Sequence, residues 1–222
     1  MKQTEFKVSA GIREIRKDYI KNILLEENCN KDPFGQFEQW LSEAMIADNH
    51  YANAMTLSTV NKEAMPESRI VLLRDISYGG FTFFTNYKSD KGLQIALRPN
   101  VSLLFFWKEL ERQVRIRGEV QLLPDQASDV YFKSRPFESQ VGAWASQQSN
   151  IVESRQSLDA RFEAEFEKRK GAVVPRPDHW GGYVVLPSVF EFWQGRESRL
   201  HDRIRYTHQA DNKSWKMERL MP

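Results

Sequence analysis

Between Ala54 and Leu122 the chain falls into five short runs rich in β-branched and aromatic residues, and this segmentation constrains the fold more than any other feature. The runs are Ala54 to Val60, Arg69 to Leu73, Phe81 to Thr85, Val101 to Trp107 and Gln113 to Leu122. Turn residues such as Tyr78-Gly79-Gly80 separate several of them, and one short helix, N-capped by Ser89, fits between the third and fourth. In the fifth run Val114 and Ile116 alternate with Gln113, Arg115 and Arg117, so one face is apolar and the other presents hydrogen-bonding groups. Strand character returns at Tyr183 to Val185, Val189 to Trp193, Ile204 to Thr207 and Trp215 to Leu220, with Asp211-Asn212 as the turn of a hairpin. Strands without regularly interleaved crossover helices predict an antiparallel barrel, mainly β with peripheral α. No Gly-x-Gly-x-x-Gly follows a strand, which argues against a Rossmann fold.

The helices belong to the periphery. Ile12, Ile15, Tyr19, Ile20, Ile23 and Leu24 recur at helical spacing and predict an amphipathic helix to about Glu27, after a loose tail over residues 1–10. Asp32-Pro33 predicts the start of a second helix, with Phe34, Phe37, Trp40, Leu41 and Met45 on its apolar face. Pro124 opens a helix that carries Tyr131, and Leu158, Phe162 and Phe166 define another that ends near Gly171. No repeat or low-complexity linker divides the 222 residues, so residues 1–222 read as a single domain. A net charge of +2 gives no electrostatic case for a nucleic-acid partner. Cys29 is the only cysteine and the four histidines have no metal-ligand spacing, so neither an intramolecular disulfide nor a metal site is expected. The N-terminus lacks the apolar stretch of a signal peptide, and Val101 to Trp107 is too short to span a bilayer; the expectation is a cytoplasmic protein with no membrane partner.

Several polar clusters stand out. Arg69 and Arg74 bracket the apolar Ile70-Val71-Leu72-Leu73, either as two solvated strand ends or as a fork for an anion. Phe84-Thr85-Asn86-Tyr87-Lys88-Ser89-Asp90-Lys91 sets a hydroxyl and two lysines at a helix N-terminus, a sound place for a phosphate. Tyr131 and Arg135 lie four apart, on one helix face, with Ser139 just past the break forced by Pro136; the alternatives are convergence on a phosphate or a surface Tyr–Arg stack. Trp144 with Gln147, Gln148 and Ser149 reads first as a polar loop pinned by a buried ring, and Arg16-Lys17-Asp18-Tyr19 as a solvated basic helix face. The densest run, Phe190-Glu191-Phe192-Trp193-Gln194-Gly195-Arg196-Glu197-Ser198-Arg199-Leu200-His201-Asp202-Arg203, holds three arginines, a histidine and three acids in fourteen residues. In an extended segment Arg199, His201 and Arg203 share one side, and two arginines beside a histidine favour its neutral form or an anionic partner.

That run resembles the C-terminal signature of the pyridoxamine/pyridoxine 5′-phosphate oxidases: Glu-Phe-Trp-Gln, four free positions, then Arg-Leu-His-Asp-Arg. The other clusters follow in the family's order, so the resemblance extends from about Arg16 to Pro222. It implies an FMN-binding split β-barrel, homodimeric with FMN at the subunit interface. The implied reaction oxidises pyridoxamine or pyridoxine 5′-phosphate to pyridoxal 5′-phosphate, with O2 as acceptor and H2O2 as by-product. Carried over by position, FMN meets Arg69, Ile70, Val71, Leu72, Leu73, Arg74, Phe84, Thr85, Lys91, Gln113, Gln148, Ser149, Trp193 and Arg203. The substrate phosphate meets Arg74, Tyr131, Arg135 and Ser139. Arg199 and His201, with Leu200 between them, hold the pyridine ring as the catalytic pair, and Arg16, Lys17, Asp18 and Tyr19 form part of a lid. The redox chemistry belongs to the flavin, and the protein orients its substrate. Three positions depart from the family pattern: Arg74 where Lys is common, Asp90 where a base for the FMN phosphate is expected, and Met221 for Ala. Lys88 is the candidate to supply the base missing at 90, or else it is merely solvated. Two other functions compete, a phenazine-type flavin oxidase on the same barrel and a non-catalytic flavin or pyridoxal-phosphate binder.

Overall fold

The computed structural model describes residues 19–48, 50–211 and 214–222. Among them nine strands form one antiparallel sheet: β1 (Ala54–Val60), β2 (Pro66–Leu72), β3 (Asp75–Ser77), β4 (Gly80–Asn86), β5 (Asn100–Trp107), β6 (Arg112–Leu122), β7 (Trp180–Gln194), β8 (Asp202–Gln209) and β9 (Ser214–Arg219). Their order is β2-β1-β5-β6-β7-β4-β3, with β8 added to β7 and β9 to β8. The sheet divides at β7. One edge of this strand pairs with β4 along residues 180–185 and with β8 along residues 189–194, while β6 runs along the other edge. A register shift between Arg117 and Gly118 bends the β6–β7 pair at that point. Gly118 is required there, because a Cβ would lie 2.2 Å from the Leu186 carbonyl oxygen. The two strands expected at Tyr183 to Val185 and Val189 to Trp193 are therefore one, and Pro187 is tolerated because it sits at the bulge.

Among the described residues five helices surround the sheet: α1 (Pro33–Ala47), α2 (Asp90–Leu97), α3 (Asp125–Ser134), α4 (Phe137–Ala145) and α5 (Arg155–Arg169). Helix α1 starts where the sequence predicts, with the Asp32 carboxylate accepting the Phe34 N–H at 3.2 Å and Pro33 in the first turn. It buries Phe37, whose ring packs edge-on against Phe81 at 4.8 Å and Phe105 at 4.9 Å. Phe37, Phe81, Phe83, Phe105, Phe190, Phe192 and Tyr206 form the centre of the main core. A second, smaller core gathers Phe132, Ala143, Val174 and Trp180, with Phe84 and Tyr131 at its edge. No helix among the described residues is long and apolar enough to cross a membrane.

The expected first helix is corrected in its described part. Residues 19–25 are irregular and only a single 3-10 turn, Glu26–Asn28, follows. The backbone N–H groups that a helix would use are claimed by distant carboxylates. Ile20 and Lys21 donate to Glu111 Oε2 at 2.9 and 3.2 Å, and Leu24 donates to Asp202 Oδ2 at 3.1 Å. Ile20 and Ile23, assigned to an apolar face, are 69% and 60% exposed. Residues 1–18, and so Arg16, Lys17 and Asp18, lie outside the described residues, as does Asn212 of the expected hairpin turn. Two elements escape the sequence pattern: the three-residue β3 and helix α4, which carries Trp144 at its end, just before the polar loop that begins at Ser146.

Candidate active site

Strands β2 and β4 and helices α3 and α4 enclose a cleft of about 440 Å3. Ile70, Val71 and Leu72 come from β2, with Arg74 just beyond it; Phe84, Thr85 and Asn86 come from the end of β4. Lys91 enters from α2, Tyr131 from α3 and Ser139 from α4, and Arg135, Gln148 and Trp180 complete the wall. Phe84 stacks on Tyr131 with centroids 3.8 Å apart and planes at 15°, and on Trp180 at 5.6 Å and 14°. Arg74 lies 5.9 Å from the Tyr131 ring centroid, and Arg135 lies 4.5 Å from that of Trp180.

The cleft concentrates positive charge without carboxylates. Among the described residues Arg74, Arg135 and Lys91 form no ion pair. Lys91 is 9% exposed, with its Nζ 3.4 Å from Thr85 Oγ1 and 3.3 Å from Ser89 Oγ. Burial pushes its pKa down, the Arg69 charge adds to this, and Asp90 opposes it. The Nη1 of Arg135 is buried with no hydrogen-bond partner among the described residues. Burial depresses the pKa of this guanidinium too, with Tyr131 opposing and Arg74 reinforcing the shift. A guanidinium stays charged regardless, so the arrangement is costly until an anion arrives.

Tyr131 and Arg135 meet in the cleft, but not on one helix face as the spacing suggests. Helix α3 ends at Ser134, and Arg135 is extended at φ −73° and ψ 149° because Pro136 disfavours a helical residue before it. Of the remaining residues proposed for the cofactor, Arg69 is turned inward. Its guanidinium donates to the Leu57 carbonyl at 3.3 Å, to Gln94 Oε1 at 3.3 Å and to the Thr59 hydroxyl. Leu73 lies in the main core. Ser149 flanks the cleft, its Oγ accepting the Asp90 N–H at 3.1 Å. The Lys88 side chain is exposed and does not border the cleft.

A second cluster lies on β7, β8 and the turn between them, and none of Gln113, Trp193, Arg199, His201 and Arg203 borders the cleft. His201 packs against Trp193 at 4.7 Å and against Tyr19 at 5.7 Å. Its Nδ1 accepts the Arg196 N–H at 3.1 Å, which leaves the other ring nitrogen to carry the proton of the neutral form. Burial, then Arg199, lowers the His201 pKa, against an opposing pull from Asp202. The expected extended segment is corrected here. Ser198 and Arg199 have φ of 55° and 60°, so Arg199 and His201 do not alternate along a strand. Arg199 and Leu200 are exposed, and Arg199 has no ion pair among the described residues. Arg203 instead grips Glu191 Oε1 through Nε at 3.0 Å and Nη2 at 2.8 Å. Gln113 sits opposite Trp193 in the β6–β7 register.

Sequence reasoning missed Asn86, Ser146 and Trp180 in the cleft wall. Trp180 had a signal in the Gly181-Gly182 pair that follows it. A Cβ on Gly181 would fall 2.0 Å from the Tyr87 hydroxyl and one on Gly182 2.5 Å from Leu123, marking close packing around this strand start.

Residues 41–169 match the family described as pyridoxamine 5′-phosphate oxidase, and residues 180–222 match the pyridoxine 5′-phosphate oxidase C-terminal dimerisation region. The chain therefore belongs to the pyridoxamine 5′-phosphate oxidase family. It is 50% identical over 211 residues to a pyridoxine/pyridoxamine 5′-phosphate oxidase of Thermosynechococcus vestitus, covering 95% of this chain and 99% of that one. A protein of the same description from Bordetella pertussis is 51% identical over 213 residues, covering 96% and 100%. Among solved structures, PhzG from Burkholderia lata 383 in complex with tetrahydrophenazine-1-carboxylic acid superposes with a TM-score of 0.83 at 27% identity, covering 90% of this chain and 98% of that one.

Proposed function

We propose that this protein is an FMN-dependent oxidase that converts pyridoxamine 5′-phosphate and pyridoxine 5′-phosphate to pyridoxal 5′-phosphate, with O2 as acceptor and H2O2 as by-product. The observation that carries the choice of a phosphorylated substrate is the pair Arg74 and Arg135, cationic and without carboxylates, with one buried Arg135 nitrogen unpartnered. A phosphate dianion supplies the charge and acceptor oxygens they lack. Tyr131 and Ser139 add hydroxyl groups on the same wall.

The residues present fit FMN as well. Lys91, buried at the start of α2 beside Thr85 and Ser89, suits a phosphate, and Gln148 adds an amide to the apolar strip Ile70 to Leu72. Arg69, Leu73, Phe84, Gln113, Ser149, Trp193 and Arg203 complete the proposed flavin set, with Lys88 at its margin. When bound, FMN supplies the two-electron acceptor for oxidation at the substrate C4′ carbon. The chain's own residues bind and orient. Arg199 and His201 hold the pyridine ring, His201 in its neutral form with one N–H to donate, and Tyr19 packs against His201.

The cleft and the Arg199–His201 cluster are separate within one chain. The chain carries the family's dimerisation region, which supports a homodimer in which each cleft is completed by the C-terminal run of the other subunit. The test is to add pyridoxine 5′-phosphate to the FMN-loaded protein and follow pyridoxal 5′-phosphate and H2O2. Equal yields are expected; flavin-loaded protein that forms neither overturns the reading.

A further inference from the structure

The geometry points to Trp180 as a positioning residue that sets selectivity for phosphate, by holding the Arg135 guanidinium at a fixed place beside Arg74. This deepens the proposed function and rests on its assignment of the cleft to a phosphorylated substrate.

Arg135 has no carboxylate or other side chain that fixes its guanidinium by hydrogen bonds among the described residues. What holds it is aromatic surface: the Trp180 ring at 4.5 Å and, more loosely, Phe132 at 5.6 Å. A cation over an indole face is attracted without a donor being used, so the N–H groups stay available to an incoming anion. A carboxylate in the same place would occupy those donors and cancel the charge. Trp180 is therefore the kind of support that a phosphate-binding arginine needs.

Trp180 is itself fixed from behind. It is 7% exposed, and its carbonyl accepts Arg176 Nη1 at 2.7 Å. The same Arg176 donates to Asp129 at 2.6 Å and Asp125 at 2.7 Å, both on α3. That helix carries Tyr131, whose ring lies parallel to Trp180 within 2° at 6.2 Å. One neutralised arginine thus ties Trp180 to the helix that bears Tyr131. The near-parallel rings of Phe84, Tyr131 and Trp180 form one aromatic cluster, with Arg74 against Tyr131 and Arg135 against Trp180.

The test uses FMN-loaded protein and inorganic phosphate as the probe, with pyridoxine 5′-phosphate kinetics in parallel. Trp180→Leu should weaken phosphate binding, read by calorimetry, by about tenfold, the scale of a desolvated cation–π contact. KM for pyridoxine 5′-phosphate should rise by a similar factor, with the loss in KM and not in kcat, the pattern of a contact made equally in ground and transition states. Trp180→Phe keeps a ring with a weaker face and should lose about threefold in both measurements. A merely structural Trp180 would lower the melting temperature or the flavin-loaded fraction and leave the phosphate affinity of the folded protein unchanged. Unchanged phosphate affinity in Trp180→Leu overturns the proposal. If that variant does not fold, unchanged affinity in Trp180→Phe overturns it. A parent enzyme that binds phosphate in a Trp180-dependent way but does not oxidise pyridoxine 5′-phosphate would instead sink the functional reading and leave the positioning role standing.

Discussion

Arginine is used in opposite ways in the two clusters. In the cleft, Arg74 and Arg135 face aromatic rings and one another's charge, with no ion pair among the described residues. Around β8 the arginines are answered by acids: Arg203 by Glu191, Arg196 by Asp202, Arg205 by Glu218, and Arg219 by both Glu26 and Asp202. The paired arginines hold the chain together, since removing one partner strands a carboxylate. Of the unpaired ones, Arg135, half-buried with one nitrogen unpartnered among the described residues, costs stability. Arg199 sits among the paired group but, like Arg74, is exposed and has no ion pair among the described residues.

The sharpest way to break this contrast is Arg135→Leu. It should cost about 3 kcal/mol in kcat/KM for a phosphorylated substrate, the upper range for hydrogen bonds to a charged group. Its thermal midpoint should not fall, because a buried unpaired charge disappears. A clear loss of stability would mean that the cleft arginines are structural after all. Arg219→Leu should do the reverse, lowering stability by about 2 kcal/mol in denaturant titrations with little change in substrate KM. It should also flatten the acid limb of the stability curve. The Arg219 hydrogen bond holds Glu26 at about 2, below its ordinary 4.5. Glu26 therefore contributes stability above pH 4.5 that is lost as the pH falls toward about 2. Asp202 acts in the same sense: burial would raise its pKa, but the Leu24 N–H, Arg219 and Arg196 together pull it down. Arg199→Met should cost about 2 kcal/mol in kcat/KM with flavin content unchanged; a variant that loses flavin or unfolds would return Arg199 to the structural group. The smallest effect is expected at Lys88→Ala. Its exposed side chain lies off the cleft wall, so FMN affinity should change by less than about 0.5 kcal/mol. A loss of kilocalorie size would show that Lys88 supplies the base absent at position 90.

The strands were legible because a two-residue period is a local signal, and β6 carries it without a break from Val114 to Ile116. The first helix was misread because its fate is decided far away. Nothing in residues 19–25 reveals that Glu111 and Asp202 will take their N–H groups. Clusters of arginine, histidine and hydroxyl residues were legible as chemistry, yet their geometry was not. The left-handed backbone at Ser198 and Arg199 has no glycine or asparagine to announce it. Trp180 was missed for a similar reason: a ring that supports another residue's charge carries no motif of its own.

The carboxylate of Glu111 has a consequence for how the protein is made. It fastens Ile20 and Lys21, the Asn30 carbonyl receives the Tyr206 hydroxyl at 2.7 Å, and Glu26 waits for Arg219. Glu111 lies at mid-chain, but the other anchors of this stretch, Asp202, Tyr206 and Arg219, are among the last residues to leave a ribosome. A growing chain can fasten Ile20 and Lys21 once Glu111 is made, but Leu24, Glu26 and Asn30 meet their partners only when nearly the whole polypeptide is present. A chain arrested before Asp202 would hold every residue that lines the cleft and leave the Leu24 N–H and the Glu26 carboxylate without their partners.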